Sequence, residues 1–446
     1  MTEEDGTTSG HEPNPGSPIP YFLEVLLKLR SLAVSLRGVS DVTAGPKHLA
    51  ATFQSARHTP IEIPLPLEVD PASLKKIRHD SGVDAQLTLR YAARIPETPK
   101  ERLMDVEPLR GLSQVECHQC HNPLLLPGSG ESNDSSASGP RFSRAVEMPS
   151  EYWHELTDCW ACHKEDYSQM PGQKGGVVLA VKGTLLVAKS YVVLHPDDVD
   201  LTTAVRVEIG EREKGILRVG RTAPAYCTHC SHDIGEVQLD QIPDAGTDIR
   251  PYIHGVKLYK YWTDLVVPSP ALKDVVGKRG SEGEQRIHAH FATYFVEEVL
   301  ESTGAHAAFR FAVYEKGGER PRILLWVLNP DVLITTTIHP STDDITSVLA
   351  AASQETIEAA SAVIVERLAR EPRGFVPALK VMYMDCRAET AAITSTMTQW
   401  ASDPQVEPIT LHATLCEEVL ASLKLSSGYG GGKKMGGFEV GFLCRG

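Results

Sequence analysis

Six of the nine cysteines in this chain fall into three Cys-x-x-Cys pairs: Cys117/Cys120, Cys159/Cys162 and Cys227/Cys230. That spacing lets one turn of backbone present two sulfurs to a single ion, and two such pairs supply the four soft ligands of a tetrahedral structural zinc. The local settings differ. C-H-Q-C-H-N-P and Y-C-T-H-C-S-H-D are polar and turn-like, as a metal knuckle requires, whereas P-S-E-Y-W-H-E-L-T-D-C-W-A-C-H-K-E-D reads as a helix with Ser150 at its cap and Glu151 in its first turn. Cys117, Cys120, Cys227 and Cys230 are therefore the expected ligands of one zinc ion. Residues 121–226 separate the two pairs. Binding worth about 10–16 kcal/mol in small zinc modules outweighs the slow growth of closure entropy with loop length. A grouping that draws in Cys159, Cys162 or a histidine is the alternative. His118, His121, His229 and His232 flank the outer pairs, either as replacement ligands or as hydrogen-bonding supports of the knuckles.

Composition limits the class of protein. A chain of 446 residues that is 41% hydrophobic can bury two cores. No run approaches the roughly 18–20 uncharged apolar residues of a membrane span, so no membrane partner is expected. The acidic start M-T-E-E-D-G lacks the basic-then-apolar order of a secretory signal, which points to a soluble intracellular protein. In a reducing compartment, paired cysteines at this spacing are metal ligands or redox groups rather than structural disulfides. A formal charge of −14 opposes attraction to phosphate backbones, so direct nucleic-acid binding is not expected.

The expected fold class is α+β: a β-rich, zinc-bearing N-terminal domain followed by an α+β C-terminal domain. Residues 1–19 form a tail too polar to bury anything. Residues 20–267 form the β-rich domain, with strand alternation in Q-L-T-L-R-Y-A-A-R-I and strands joined by Gly-containing turns from G-G-V-V-L to K-S-Y-V-V-L. Residues 127–141, rich in Gly, Ser and Pro, are a flexible insertion, and residues 268–283 a linker. Residues 284–446 form the second domain, with helices expected over Arg286–Glu301 and Glu355–Arg370, and strands in A-A-F-R-F-A-V-Y, R-I-L-L-W-V-L and V-P-A-L-K-V-M-Y-M. G-Y-G-G-G-K-K lacks the spacing and the terminal Ser/Thr of a phosphate-binding loop, and no Gly-x-Ser-x-Gly or His-Glu-x-x-His arrangement supports a hydrolase.

Three patches carry a resemblance. P-S-E-Y-W-H-E-L-T-D-C-W-A-C-H-K, the later V-K-L-Y-K-Y-W, and the ending with Cys416 and G-G-F-E-V-G-F-L together look like the HECT-like family of ubiquitin-conjugating-enzyme-binding proteins, over about residues 20–446. The resemblance implies a ubiquitin ligase that accepts ubiquitin from a conjugating enzyme, so that enzyme and ubiquitin are the expected partners, and the cytoplasm and nucleus the expected locations. It also implies binding to the metallo-β-lactamase-type endonuclease of the mRNA 3′-end cleavage and polyadenylation machinery, with a cysteine of the W-x-C-H helix reaching the nuclease's zinc. Cys162 and His163, beside Lys164 at the helix end, are the expected contact: a thiolate in the open coordination position would displace the nucleophilic water.

Cys416 is the candidate catalytic acceptor. Thr414 and Glu417 read as a T-x-x-E capping box that sets Cys416 in a first helical turn, where free amides favour the thiolate, although Glu417 and Glu418 oppose it. L-H-A-T-L-C matches the L-P-x-x-T-C context of HECT ligases at Leu411 and Cys416 only. A buried helix-start cysteine is the alternative, and Cys386 and Cys444 read as core or incidental thiols. At the level of the whole protein, the alternatives to a ligase are a non-enzymatic inhibitor or assembly chaperone of the endonuclease and, more distantly, a zinc-stabilised scaffold.

Overall fold

The computed structural model describes residues 21–53, 61–78, 84–91, 106–126, 141–148, 173–174, 177–178, 180–209, 222–239, 252–268, 284–288, 291–336, 375–429 and 434–445, leaving aside positions 38, 66 and 389. The N-terminal tail, nearly all of the 127–141 insertion and of the 268–283 linker, the whole W-x-C-H helix with Cys159, Cys162 and His163, and the helix expected at Glu355–Arg370 lie outside those residues. Among the described residues, no helix is long and apolar enough to cross a membrane.

The chain divides into two compact units. One is continuous, Glu101–Tyr294; the other joins the two ends, Met1–Lys100 with Phe295–Gly446. This is not the division drawn from composition, which kept residues 20–267 together and opened a second domain at 284. The reason is strand pairing across the length of the chain, which local patterning does not record. Pro321–Thr336 is a long strand whose first half pairs with Arg310–Glu315 and whose second half pairs with Tyr21–Leu26, Leu23 lying opposite Thr335. Around it forms a ten-stranded sheet that runs on one side through Ser31–Arg37 and Asp84–Tyr91 to Val69–Arg78, and on the other through Val376–Asp385 to Phe438–Cys444.

The alternation of this sheet explains its two faces. Leu23, Val25, Leu32, Val34, Leu87 and Leu89 are fully buried in one cluster with Leu333. Glu24 points the other way and is itself buried, paired with Lys380 at 2.8 Å. Helix Ala413–Tyr429 lies against Phe438–Cys444, where Ser426 Oγ accepts from the Phe442 N–H at 2.8 Å. Gly441 permits that approach, since a Cβ there would stand 3.1 Å from the Leu423 carbonyl oxygen.

The continuous unit holds a seven-stranded sheet, ordered Val205–Val207, Thr222–Cys227, Asp233–Leu239, Ile253–Tyr259, Tyr191–Leu194, Thr184–Val187, Arg144–Glu147. A three-stranded sheet of Glu284–Ile287, Thr263–Pro268 and Gln114–Cys117 shares its core, in which Leu112, Val115, Val192, Ile234, Val237, Val256, Leu258 and Leu265 are all fully buried. Gly235 sits where Asp233–Leu239 shifts register against its neighbours, and a Cβ would meet the Lys257 carbonyl oxygen at 1.9 Å. The helix expected from Arg286 begins instead at Phe291 and runs to His306. Glu284–Ile287 is a strand because Thr263–Pro268 offers an edge to pair with, Leu265 opposite Ile287.

Candidate metal centre

Cys117 ends the strand Gln114–Cys117 and Cys227 ends Thr222–Cys227, so each outer pair begins where a strand of the continuous unit stops. The two turns are built alike. In the first, the Cys117 N–H donates to the Asn122 carbonyl and the His121 N–H to the Cys117 carbonyl; in the second, the Cys227 N–H donates to His232 and the Ser231 N–H to Cys227, all at 2.8–2.9 Å. His121 and Ser231 hold the same place in each turn, with φ of 56° and 60°. The left-handed conformation lets the chain double back and directs both sulfurs of a pair the same way.

The two turns face each other. Cys117 Sγ lies 3.6 Å from Cys230 Sγ, and Cys120 Sγ 3.6 Å from Cys227 Sγ, with all four sulfurs within 4.8 Å of one another. Cys117 and Cys227 are fully buried. Four thiols grouped in this way could hold a metal ion. Burial pushes the Cys117 and Cys120 thiols up. Burial would raise the Cys227 thiol, but the backbone amides of Cys230 and His229 together with the Cys120 and Cys230 sulfurs hold it down.

The V-K-L-Y-K-Y-W patch supports this centre. The His118 N–H donates to the Trp262 carbonyl at 3.1 Å, and the Trp262 ring meets His232 edge-on at 6.3 Å, so one residue contacts both turns. Lys260 is completely buried, its Nζ donating to the Ala188 carbonyl at 2.6 Å, while Lys257 Nζ lies 3.9 Å above the Tyr191 ring.

Three residues that sequence reasoning passed over adjoin the first turn. Asp264, 4% exposed in its side chain, is hydrogen-bonded to His118 Nδ1 at 2.7 Å on Oδ1, while His288 Nδ1 lies 3.3 Å from the same oxygen and His121 Nδ1 3.2 Å from Oδ2. The His118 and His288 rings stack at 3.6 Å. Burial would raise the Asp264 carboxyl, but the adjacent His118 and His288 imidazoles hold it well below the usual carboxylate range. Glu116 lies opposite Asp264 in the ladder and pairs with Arg286 at 2.8 Å. His118 and His121 thus serve a carboxylate rather than the knuckle backbone.

Cys416 lies in the other unit. Its helix starts at Ala413, so Thr414 stands inside the first turn rather than at the cap, and the Cys416 N–H is already engaged by the His412 carbonyl at 3.0 Å. The residue is 3% exposed, with Sγ 3.8 Å from the Tyr314 carbonyl oxygen. Burial first, then Glu315 and Glu417 against the opposing Arg322, push the thiol up to about 11. Cys386 and Cys444 are also buried, and burial pushes Cys386 up to about 12.

The profile of the HECT-like ubiquitin-conjugating enzyme (E2)-binding family matches residues 24–429. The chain belongs to that family. It is also similar to proteins named E3 ubiquitin-protein ligase E3D: that of Mus musculus at 22% identity, covering 95% of this chain and 97% of the relative, and that of Bos taurus at 23%, covering 91% and 92%. The Rattus norvegicus protein of the same name is 22% identical over 90% of each chain. Of the patches that carry the family resemblance, V-K-L-Y-K-Y-W lies beside the four cysteines, and G-G-F-E-V-G-F-L forms the strand under the Cys416 helix.

Proposed function

We propose that this chain acts in ubiquitin conjugation by binding a charged conjugating enzyme and promoting transfer of its ubiquitin, without carrying the ubiquitin on Cys416. Family membership supports the first part, and the burial of Cys416 carries the second. Transthiolation needs an exposed thiolate that can reach a thioester carbonyl. A cysteine 3% exposed, whose thiol is pushed up to about 11, is protonated and shielded at neutral pH. The same proposal takes zinc as the ion of Cys117, Cys120, Cys227 and Cys230. Zn–S bonds of about 2.3 Å put tetrahedral sulfurs about 3.8 Å apart, close to the 3.6 Å separations between the turns. Its role is structural, closing a loop of more than 100 residues.

The test is to charge a conjugating enzyme with ubiquitin and mix it with wild-type, Cys416→Ser and Cys162→Ser chains, resolving products with and without reductant. Equal discharge by wild type and Cys416→Ser, with no reducible adduct, is expected. A reducible ubiquitin adduct that disappears only in Cys416→Ser would overturn the proposal and make that cysteine the acceptor. The reading in which Cys162 and His163 reach the zinc of a 3′-end-processing endonuclease rests on the family resemblance alone, and loss of nuclease binding in Cys162→Ser is its measure.

A further inference from the structure

We infer that the four-cysteine centre is an oxidant-responsive switch, in which a hydroperoxide converts the sulfurs into two disulfides that join the turns, Cys117 to Cys230 and Cys120 to Cys227. The inference rests on the proposed zinc reading only for the release of the ion. The choice of pairs comes from the sulfur geometry.

Four cysteines can pair in three ways. The contacts between the turns select one of them: Cys117 Sγ stands 3.6 Å from Cys230 Sγ, and Cys120 Sγ 3.6 Å from Cys227 Sγ. Each contact sets one buried cysteine against one that is half-buried. A peroxide in solution reaches the half-buried sulfur first, and the buried sulfur facing it is shielded from the same reagent. Shortening 3.6 Å to a bond of about 2.05 Å is a movement of about 1.5 Å, which the half-buried side chains have room to make. Pairing Cys117 with Cys227 would instead join the two buried sulfurs, neither of which meets the oxidant directly. Bonds within each turn would need sulfurs presented side by side to rotate toward each other. The backbone that presents them is fixed by the His121 N–H on the Cys117 carbonyl and the Ser231 N–H on the Cys227 carbonyl.

Contacts that spare the sulfurs keep the turns face to face. The His118 N–H donates to the Trp262 carbonyl, the Trp262 ring meets His232, and Cys117 and Cys227 share one apolar core. The chemistry balances on these groups. The Cys120 sulfur attacks a peroxide oxygen, so an S–O bond forms, the O–O bond breaks and an alcohol or water leaves. The Cys227 sulfur then attacks the Cys120 sulfenic acid, forming S–S and expelling water. Cys230 and Cys117 repeat the sequence with a second peroxide. Each bond costs its two sulfurs two electrons, which reduce the peroxide, and protons come from the thiols or, for metal-bound sulfurs, from solvent. Disulfide sulfurs are poor ligands, so the metal leaves unreduced as the divalent ion, while covalent bonds take over its place between the turns.

The test titrates the full-length, Zn²⁺-loaded chain with hydrogen peroxide. A zinc-sensitive dye reads the released ion, and free thiols are blocked before tryptic digestion without reductant. No lysine or arginine lies between the cysteines of either pair, and Arg141 lies between the pairs, so trypsin leaves each pair on its own peptide. Bonds between the turns give one cross-linked couple, bonds within them two separate peptides, and fragmentation between the cysteines reads which sulfurs are joined. Release of about one zinc per chain, with Cys117–Cys230 and Cys120–Cys227 in the couple and both changes reversed by dithiothreitol and added zinc, is expected. Bonds within the turns, bonds to Cys159 or Cys162, or sulfinic acids in place of disulfides would each overturn the inference. A chain that holds no zinc after loading would overturn the zinc reading instead, and the peptide map would still decide the pairing.

Discussion

Ser231 is an exposed serine at φ 60°, a conformation that costs an L-residue about 1–2 kcal/mol and glycine little. After glycine's larger loss of unfolded-state freedom, Ser231→Gly should stabilise the metal-loaded protein by about 0.5–1 kcal/mol, read as a rise in the unfolding midpoint. His121→Gly is not equivalent, since it also removes the ring that meets Asp264. Asp385 gives a pH prediction. Burial would raise its carboxyl, but bonds from Arg387 and Lys424, each 2.8 Å from Oδ2, hold it down to about 2. A lowered carboxyl contributes stability that is present above its unfolded value, about 3.9, and is lost as pH falls toward 2. Thermal midpoints of wild type should therefore drop more steeply than those of Asp385→Asn between about pH 4 and 2, and the two curves should converge below that range. At this scale the sequence is readable where chemistry is local. Cys-x-x-Cys spacing singled out the four sulfurs that meet, but Asp264 and His288 carry no local mark, because only strand register brings them beside His118.

Among the elements, two glycines set how closely backbones approach. Gly235→Ala would force a methyl group into the Lys257 carbonyl, and backbone cannot swing aside as a side chain can. A loss of at least about 2 kcal/mol in the unit 101–294 is expected, with weakened metal retention because the strand Asp233–Leu239 pairs with the one that ends at Cys227. Gly441→Ala meets its neighbours at 3.1–3.3 Å and should cost less, as the Ala413–Tyr429 helix can shift by a few tenths of an ångström. Denaturation midpoints rank the two, and a larger loss at Gly441 would mean that the helix is more rigidly held than its strand. Several strands were legible from their short apolar runs, R-I-L-L-W-V-L and V-P-A-L-K-V-M-Y-M among them. Arg286 and Ile287, the last two residues of the strand Glu284–Ile287, were taken into the expected helix because four residues are too few for period 2 to stand out from period 3.6.

For the whole molecule, the division into a continuous unit and one made from both ends was not legible, since a Pro-, Gly- and charge-rich stretch looks the same between domains as inside one. The consequence can be tested by dissection. Residues 295–446 alone leave Val332–Thr336 without Tyr21–Leu26 and uncover Leu333, which is 2% exposed in the intact chain. That fragment should lack a cooperative unfolding transition, and residues 1–100 added in trans should restore one, seen in near-ultraviolet circular dichroism. A sharp transition from 295–446 alone would show that the Tyr21–Arg37 strands are dispensable.

The pairing of Tyr21–Leu26 with Pro321–Thr336 also sets a clock. Tyr21 and Thr336 are 315 positions apart and joined by a hydrogen bond from the threonine hydroxyl to the tyrosine carbonyl. A ribosome adding about 5–20 residues per second needs about 15–60 s to cover that distance. Through that interval the Tyr21–Arg37 hairpin has left the exit tunnel with its sticky edge bare, while the Glu101–Tyr294 segment can finish folding first. Newly made chains should therefore be most exposed to chaperone capture and to pairing with one another during synthesis, not after release.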